Sequence, residues 1–521
     1  MTGTLTLLRS YLRRDRWLVL WWSVAGTLVY YSQAVSVKGL YATQAEFDKA
    51  AASMQGNAAF VAMAGPARAL NTIGGQVTWQ ATGGGAVVAG LMTMLVIGRH
   101  TRAEEESGRD ELVRSTAIDR TAPMAAALGA ALVANVFLGA LVAVSLWTFP
   151  LAAADSWALG VGLALCGMCF GGVALLAAQL TSTTRATYGL TGATIGLAFA
   201  LRAVGDVTNG ALSWLSPIGW YQAMHPFSGL RWWPALLILA AAGLATAAAY
   251  AVFARRDVGS GVLAARPGPA SGGTGGSWAL AWRLQRGQVV GWSAGLLFTG
   301  LAYGSIGDSV GDLVGDSQAT RDVFVQAGDL VDGFYATAIL MLGMISAGFA
   351  VSSALRPRGE EQDGRLEPLL ATALSRRRWL VDQVLVTVLG TCVVVVAAAV
   401  GLATGYALTT GDASAYGRYG LPMLAQLPAV LVLSGLARLA YGVAPRWATL
   451  AWLGLAWAVV VLLFGELWQL PQWARDVSPF AHLALAPGEP FRWLPVAAVA
   501  GVALLLSAAG QWAFVRRDAG S

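Results

Sequence analysis

Lysine is nearly missing from this 521-residue chain: among 34 basic residues, only Lys38 and Lys49 are not arginine. A nucleotide-binding P-loop needs a lysine in the pattern G-x-x-x-x-G-K-[ST], where it neutralises phosphate charge. Neither lysine stands in that context, so the chain is not expected to hydrolyse ATP, and no cofactor is expected on it. Cysteine and histidine are as sparse, three of each. Cys166 and Cys169 form a C-x-x-C inside an apolar run and Cys392 stands alone in another, which reads as small packing residues. His100, His225 and His482 form no H-E-x-x-H and no cluster, so no metal site is expected. Charged residues are only 12% of the chain, which leaves no room for a large aqueous domain, and no nucleic-acid partner is expected. The apolar runs hold few carboxylates and no Ser/Lys pair, which argues against both a proton-coupled secondary transporter and an intramembrane enzyme.

What the chain has is oil and aromatics. Apolar residues make up 56%, Trp reaches 21, and mean hydropathy is +0.59. Repeated apolar runs of about 20 residues predict an all-α polytopic membrane protein. Twelve spans are expected, near 17–37, 79–98, 123–149, 157–180, 187–204, 233–254, 288–306, 334–355, 380–408, 421–442, 449–467 and 494–514. Arginine clusters at 9–16, 99–120, 255–256, 356–378 and 516–517 all fall on one side of this topology, which the positive-inside rule assigns to the cytoplasm with both termini. The other side receives the acidic stretch 307–333, where Asp308, Asp312 and Asp316 recur four apart; this spacing is wrong for a calcium loop, which uses alternate residues. Leu5 to Arg16 reads as an interfacial amphipathic helix ahead of the first span.

One stretch breaks the pattern. In "RAEEESGRDELVRSTAIDR", residues 102–120, ten of nineteen side chains are charged. It has a second copy, "RGEEQDGRLEPLLATALSR" at 358–376, which matches Arg102, Glu104, Glu105, Gly108, Arg109, Glu111 and Arg120 with Arg358, Glu360, Glu361, Gly364, Arg365, Glu367 and Arg376. Elsewhere "FARRDVGS" at 253–260 recurs as "FVRRDAGS" at 514–521. Ser216, Pro217, Pro226, Arg231, Trp232 and Pro234 are answered by Ser478, Pro479, Pro487, Arg492, Trp493 and Pro495. The chain therefore reads as two tandem six-span halves, 1–262 and 280–521, joined by a Pro/Gly/Ser-rich linker at 263–279. Six spans per half make the repeat parallel, with a central cavity expected between the halves.

Glu105 and Arg109, Asp110 and Arg114, and Glu361 and Arg365 stand acid-first at i, i+4, the order that supports a helix. Gly108 and Gly364 interrupt it. Each copy is thus expected to be a short amphipathic helix that presents its charges to a partner. A single charged loop is ordinarily a solvated connector; the same loop at the same place in both halves points to a two-fold symmetric partner.

Taken together, the N-terminal amphipathic helix, six spans, an "EE-x-x-G-R-x-E" loop after the second span and "LSPIGWYQAMHPFSGLRW" before the sixth resemble a type-2 ABC exporter permease. The fused twelve-span form with Arg in place of Lys is similar to the actinobacterial exporters of polyketide antibiotics, of the tetronasin-resistance kind. That resemblance implies coupling helices at 102–117 and 358–373 seated on a homodimeric or paired nucleotide-binding subunit, which would bind ATP and Mg. It implies secondary contacts at Arg185 and Arg446 and extracytoplasmic re-entrant segments at 213–232 and 475–493. Hydrophobic drugs or polyketide-type antibiotics are the implied cargo, with export of lipids or cell-envelope precursors as the alternative. Pro368 faces Leu112 in the repeat, so the two contacts need not be equivalent.

A lipophilic path is expected along Trp21, Trp22, Tyr30 and Tyr31 of the first span, Trp292 and Tyr303 of the seventh, and Glu466 near the end of the eleventh. Arg202 either meets polar cargo groups or snorkels to the interface.

Overall fold

A computed structural model of the chain describes residues 2–38, 43–54, 61, 64–256, 261–262, 276–305, 330–465 and 470–517. Among them twelve helices have 14 or more residues. They are α1 (Thr4–Lys38), α2 (Ile73–His100), α3 (Ala122–Thr148), α4 (Ala153–Leu180), α5 (Thr184–Val207), α6 (Trp233–Arg255), α7 (Gly276–Gly304), α8 (Leu330–Ala354), α9 (Arg376–Thr410), α10 (Leu427–Val443), α11 (Ala451–Phe464) and α12 (Trp493–Arg516). The protein is an all-α, multi-pass membrane protein, and ten helical stretches are long and apolar enough to cross a bilayer. The two expected spans outside that ten lie in α1 and α7. Both helices are long, but Trp, Tyr, Ser, Gln and Gly dilute their uncharged portions, so their hydropathy falls short.

Helix ends follow local chemistry. Thr72 caps α2 by accepting from the Gly75 amide at 3.1 Å, Ser375 caps α9, and Pro123 opens α3 where its missing N–H costs nothing. One expectation is corrected here. The amphipathic stretch 5–16 is not a separate helix, because α1 runs unbroken for 35 residues, about 52 Å, with no Gly or Pro at the junction. The tenth span holds, at 416–443, with a local turn at Ala425 and Gln426 between Leu421–Leu424 and α10, which Pro422 and Pro428 open.

The chain divides into two compact units, Met1–Gly268 and Pro269–Ser521. In the first, α4 is the central helix, packed against α2, α3, α5 and α6, while α1 lies on α2 and α3. Its core joins Tyr30, Val77, Leu138, Leu163, Phe170 and Tyr221. Cys166 and Cys169 are buried in that core as free thiols. In the second unit, α7 packs along α9, and α10 along α12. A Cβ on Gly405 of α9 would lie 2.3 Å from the Leu301 carbonyl oxygen, so only glycine permits the approach of α7. Phe349, Val394, Leu402 and Tyr419 fill the core beside it.

The two Pro/aromatic segments fold back on their own units. Ser216 donates to the Ala198 carbonyl of α5 at 2.7 Å and caps the helix Pro217–Ala223. In the second copy, Trp457 of α11 donates to the Ala474 carbonyl at 3.0 Å, ahead of the turn Pro479–His482. The acidic stretch with Asp308, Asp312 and Asp316, Glu466, and most of the linker lie outside the described residues.

Candidate coupling site

Each charged loop is two short helices joined at a glycine, not one helix. In the first unit these are Arg102–Glu106 and Arg109–Arg114, with Gly108 at φ +72° between them. In the second they are Arg356–Gln362 and Leu366–Leu370, with Gly364 at φ +68°. This left-handed backbone suits glycine and turns the chain sharply.

The acidic pairs do not face outward as expected. Arg102 is 1% exposed, and its Nε and Nη2 donate to the Ala178 carbonyl at the end of α4. Its Nη1 lies 2.9 Å from Glu105 Oε2. The other oxygen of Glu105 meets Arg256, just past α6, at 2.5 Å, and Arg120 donates to the Arg256 carbonyl at 2.9 Å. Glu104 is also buried, 2.8 Å from Arg14 of α1 and 3.7 Å from Arg109. Glu106 accepts from the Thr184 amide and hydroxyl at the start of α5. The loop leaves α2 and leads into α3, so all six long helices of the unit are tied to it at one end.

The second loop repeats the central part of this arrangement. Glu361 Oε2 accepts from Arg517 and from the Tyr441 hydroxyl, each at 2.7 Å, and Arg376 donates to the Arg517 carbonyl at 2.9 Å. Glu360 is buried, 3.4 Å from Arg356 and 4.0 Å from Arg365. Leu366 packs on Trp379, Tyr441 and Phe514. Arg358 is half-buried and does not take the fully buried position of Arg102.

Burial accounts for the departure from the expected helix pairs. Glu105 turns to Arg102 and Arg256, and Glu361 to Arg517, because these guanidiniums lie where water is excluded; Glu104 and Glu360, one residue earlier, reach across the glycine to Arg109 and Arg365. The exposed apex of the first loop consists of Arg109, Glu111 and Leu112, the arginine side chain 61% and the leucine 73% exposed. Arg365, Glu367 and Pro368 occupy the second apex. Arg185 and Arg446 are exposed near the same end of their respective units, Arg446 over the ring of Trp447 at 5.9 Å. Arg256, Arg517, Arg120 and Arg376 enter the sequence analysis only through the repeat and the arginine clusters that set orientation; their recurrence was the available signal of this packing.

Alongside the first loop, Asp15 of α1 is buried between Arg99, at 2.9 Å, and His100, at 2.5 Å, and the His100 ring stacks on Tyr11. Gln285 takes the corresponding place in the second unit. It donates to Gln383 at 3.1 Å and accepts from Ser353 at 2.6 Å, a neutral network in place of a charged one.

The expected path residues are scattered. Trp21 is exposed and Trp22 packs against the first unit's core. Tyr30 is fully buried, its hydroxyl 3.3 Å from that of Tyr221. Trp292 packs edge-on against Phe349, and Tyr303 reaches Met341 Sδ at 3.5 Å. Arg202 neither snorkels nor lines an open path: it is fully buried, 3.6 Å from Asp206 and over the ring of Phe199.

Residues 275–515 match the family model described as multidrug efflux system permease Rv1217c, C-terminal domain. Over 99% of its length the chain is 40% identical to the multidrug efflux system permease protein Rv1217c of Mycobacterium tuberculosis, covering 95% of that protein.

Proposed function

The chain belongs to the Rv1217c family of multidrug efflux permeases, and from that membership we propose that it is the membrane half of an ATP-driven exporter whose ATPase is a separate, paired subunit. The observation that carries this reading is the duplicated loop. In both units a Glu–Arg ion pair and an Arg-to-carbonyl bond join the loop to the end of the last long helix, and a charged apex stands clear. Such a body transmits force, because a push on the apex reaches the helices through buried, short, charge-assisted bonds and not through a soft loop.

In this reading Arg109, Glu111 and Leu112, with Arg365, Glu367 and Pro368, face the two ATPase subunits, and Arg185 and Arg446 contribute at the rim. The loops and both termini are then cytoplasmic, as the arginine distribution requires. ATP and Mg belong to the partner, since the chain has no P-loop. The cargo is a lipophilic drug-like or polyketide-type molecule, consistent with what the relative's name says of that protein. Copurification with a Walker-motif ATPase, and loss of its cargo-stimulated turnover when Arg109 and Arg365 are both changed to Glu, is the expected result. Drug transport by the isolated chain under a pH gradient alone overturns the reading.

A further inference from the structure

Helix α1 is longer than a bilayer crossing requires. From Trp17 to Lys38 it rises about 32 Å, against about 30 Å for a hydrocarbon core, so the turns before Trp17 stand at headgroup level. Those turns carry Arg9, Arg13, Arg14 and Arg16. Arg14 faces inward and pairs with Glu104 at 2.8 Å. Arg9, Arg13 and Arg16, at i, i+4 and i+7, share the outer face and are all exposed. None of the three makes an ion pair or a side-chain hydrogen bond among the described residues. Like charges at this spacing repel one another, so the stripe is complementary to an anion.

Beside the stripe, a groove of about 500 Å³ runs between α1 and α3. Leu12, Trp17, Val19 and Leu20 of α1 and Phe137 of α3 line it, and Arg16 is its one charged residue. The Arg16 guanidinium lies over the Trp17 ring, 5.6 Å from its centroid. The volume falls within the roughly 300–1,000 Å³ of small-molecule sites. From Trp17 the exposed face continues along α1 through Trp21, Leu28 and Val35, over the length that crosses the hydrocarbon core. A phospholipid reaches the apolar groove and the guanidiniums at once, whereas an anion dissolved in water reaches only the guanidiniums.

Both units carry basic residues where their first long helix meets the headgroups, as the distribution of arginine in membrane proteins demands. The groove needs more than that. At the offset of 270 that aligns Trp22 with Trp292, Arg13 and Arg16 recur as Arg283 and Arg286, but Arg9, Trp17 and Trp21 give way to Ala279, Gly287 and Gly291. The third charge and both rings therefore belong to the first unit alone. We propose that the groove between α1 and α3 binds one anionic phospholipid, its phosphate on Arg13 and Arg16 and an acyl chain along Trp17, Leu20 and Phe137. The site depends neither on how the permease is energised nor on which leaflet meets this end of α1.

The test is native mass spectrometry of the full chain in detergent, titrated with phosphatidylglycerol and, separately, with phosphatidylcholine of the same acyl chains. One phosphatidylglycerol is expected to bind about tenfold more tightly than phosphatidylcholine, and Arg13→Gln/Arg16→Gln to abolish that preference. Trp17→Ala, which removes the ring beside Arg16, should weaken phosphatidylglycerol binding about threefold. Arg283→Gln/Arg286→Gln, the matching change in the second unit, should leave it unchanged. All of these side chains except the partly exposed Trp278 neighbours lie at the surface, so each variant is expected to melt within about 0.5 kcal/mol of wild type. Equal binding of the two lipids, a preference that survives Arg13→Gln/Arg16→Gln, or an equal loss in Arg283→Gln/Arg286→Gln overturns the site. So does displacement of the lipid by inorganic phosphate, which would mark a simple anion site, or a dimer of the chain that excludes the lipid, which would mark the groove as a contact between copies.

Discussion

Arg256 meets Glu105 at 2.5 Å while its own carbonyl accepts a hydrogen bond from Arg120, so one residue past α6 holds the charged loop from both sides. Arg517, Glu361 and Arg376 do the same in the second unit. Truncating one partner of a buried ion pair typically costs about 3–5 kcal/mol, because the other charge stays buried. Arg256→Ala keeps Glu105 beside Arg102, so the expected loss lies at the low end of that range. It is read as a lower thermal midpoint of the purified chain, with part of the loss recovered in the Glu105→Ala/Arg256→Ala double variant. An unchanged midpoint in the single variant would show that the pair holds nothing.

The apex should behave in the opposite way. Arg109 and Leu112 are largely exposed, and surface changes of this kind usually stay within about 0.5 kcal/mol of wild-type stability. Central residues of a protein interface cost about 2 kcal/mol or more when lost, well over tenfold in affinity. Arg109→Glu/Leu112→Asp is therefore expected to melt like wild type yet lose the partner ATPase in pull-down. Retained binding places the interface elsewhere.

The contrast explains what the sequence could reveal. The glycine breaks were legible because they rest on local backbone chemistry: Gly108 and Gly364 read as interruptions and adopt left-handed φ. The direction in which Glu104 and Glu105 face was not legible, since i, i+4 spacing ignores Arg14, Arg256 and the Ala178 carbonyl, which arrive from other helices. Arg202 was misjudged for the same reason, because its depth depends on Asp206 and Phe199 packing around it. The charge of Asp15 was masked by its arginine neighbours, so the buried contact with His100 gave no pattern to read.

Gly108 gives a backbone test. At φ +72° an alanine is strained, although no atom lies within 4 Å of its Cβ, so the cost is conformational and not steric. About 1–2 kcal/mol is expected for Gly108→Ala. Asn tolerates this region better, and Gly108→Asn should lower the thermal midpoint by less. Equal midpoints for the two variants would mean that the turn relaxes out of the left-handed region.

His225 supplies a pH dependence with a defined sign. Burial first, then the Arg68 and Arg231 guanidiniums, hold its imidazole down from 6.5 to about 4 in the folded chain. A histidine whose folded value is depressed favours folding while it is neutral. Its contribution is fully present above about pH 6.5 and is lost as pH falls toward 4, since the unfolded chain takes up the proton first. The thermal midpoint should therefore fall between pH 7 and 4.5 by more in the wild type than in His225→Asn. Asparagine is the appropriate replacement because residue 225 sits at φ +51°, where it is tolerated. Arg68→Gln removes one of the opposing charges, so the imidazole should titrate at higher pH and the stability loss should end sooner as pH falls. Identical pH profiles for wild type and His225→Asn would show that this imidazole is not held neutral by its surroundings.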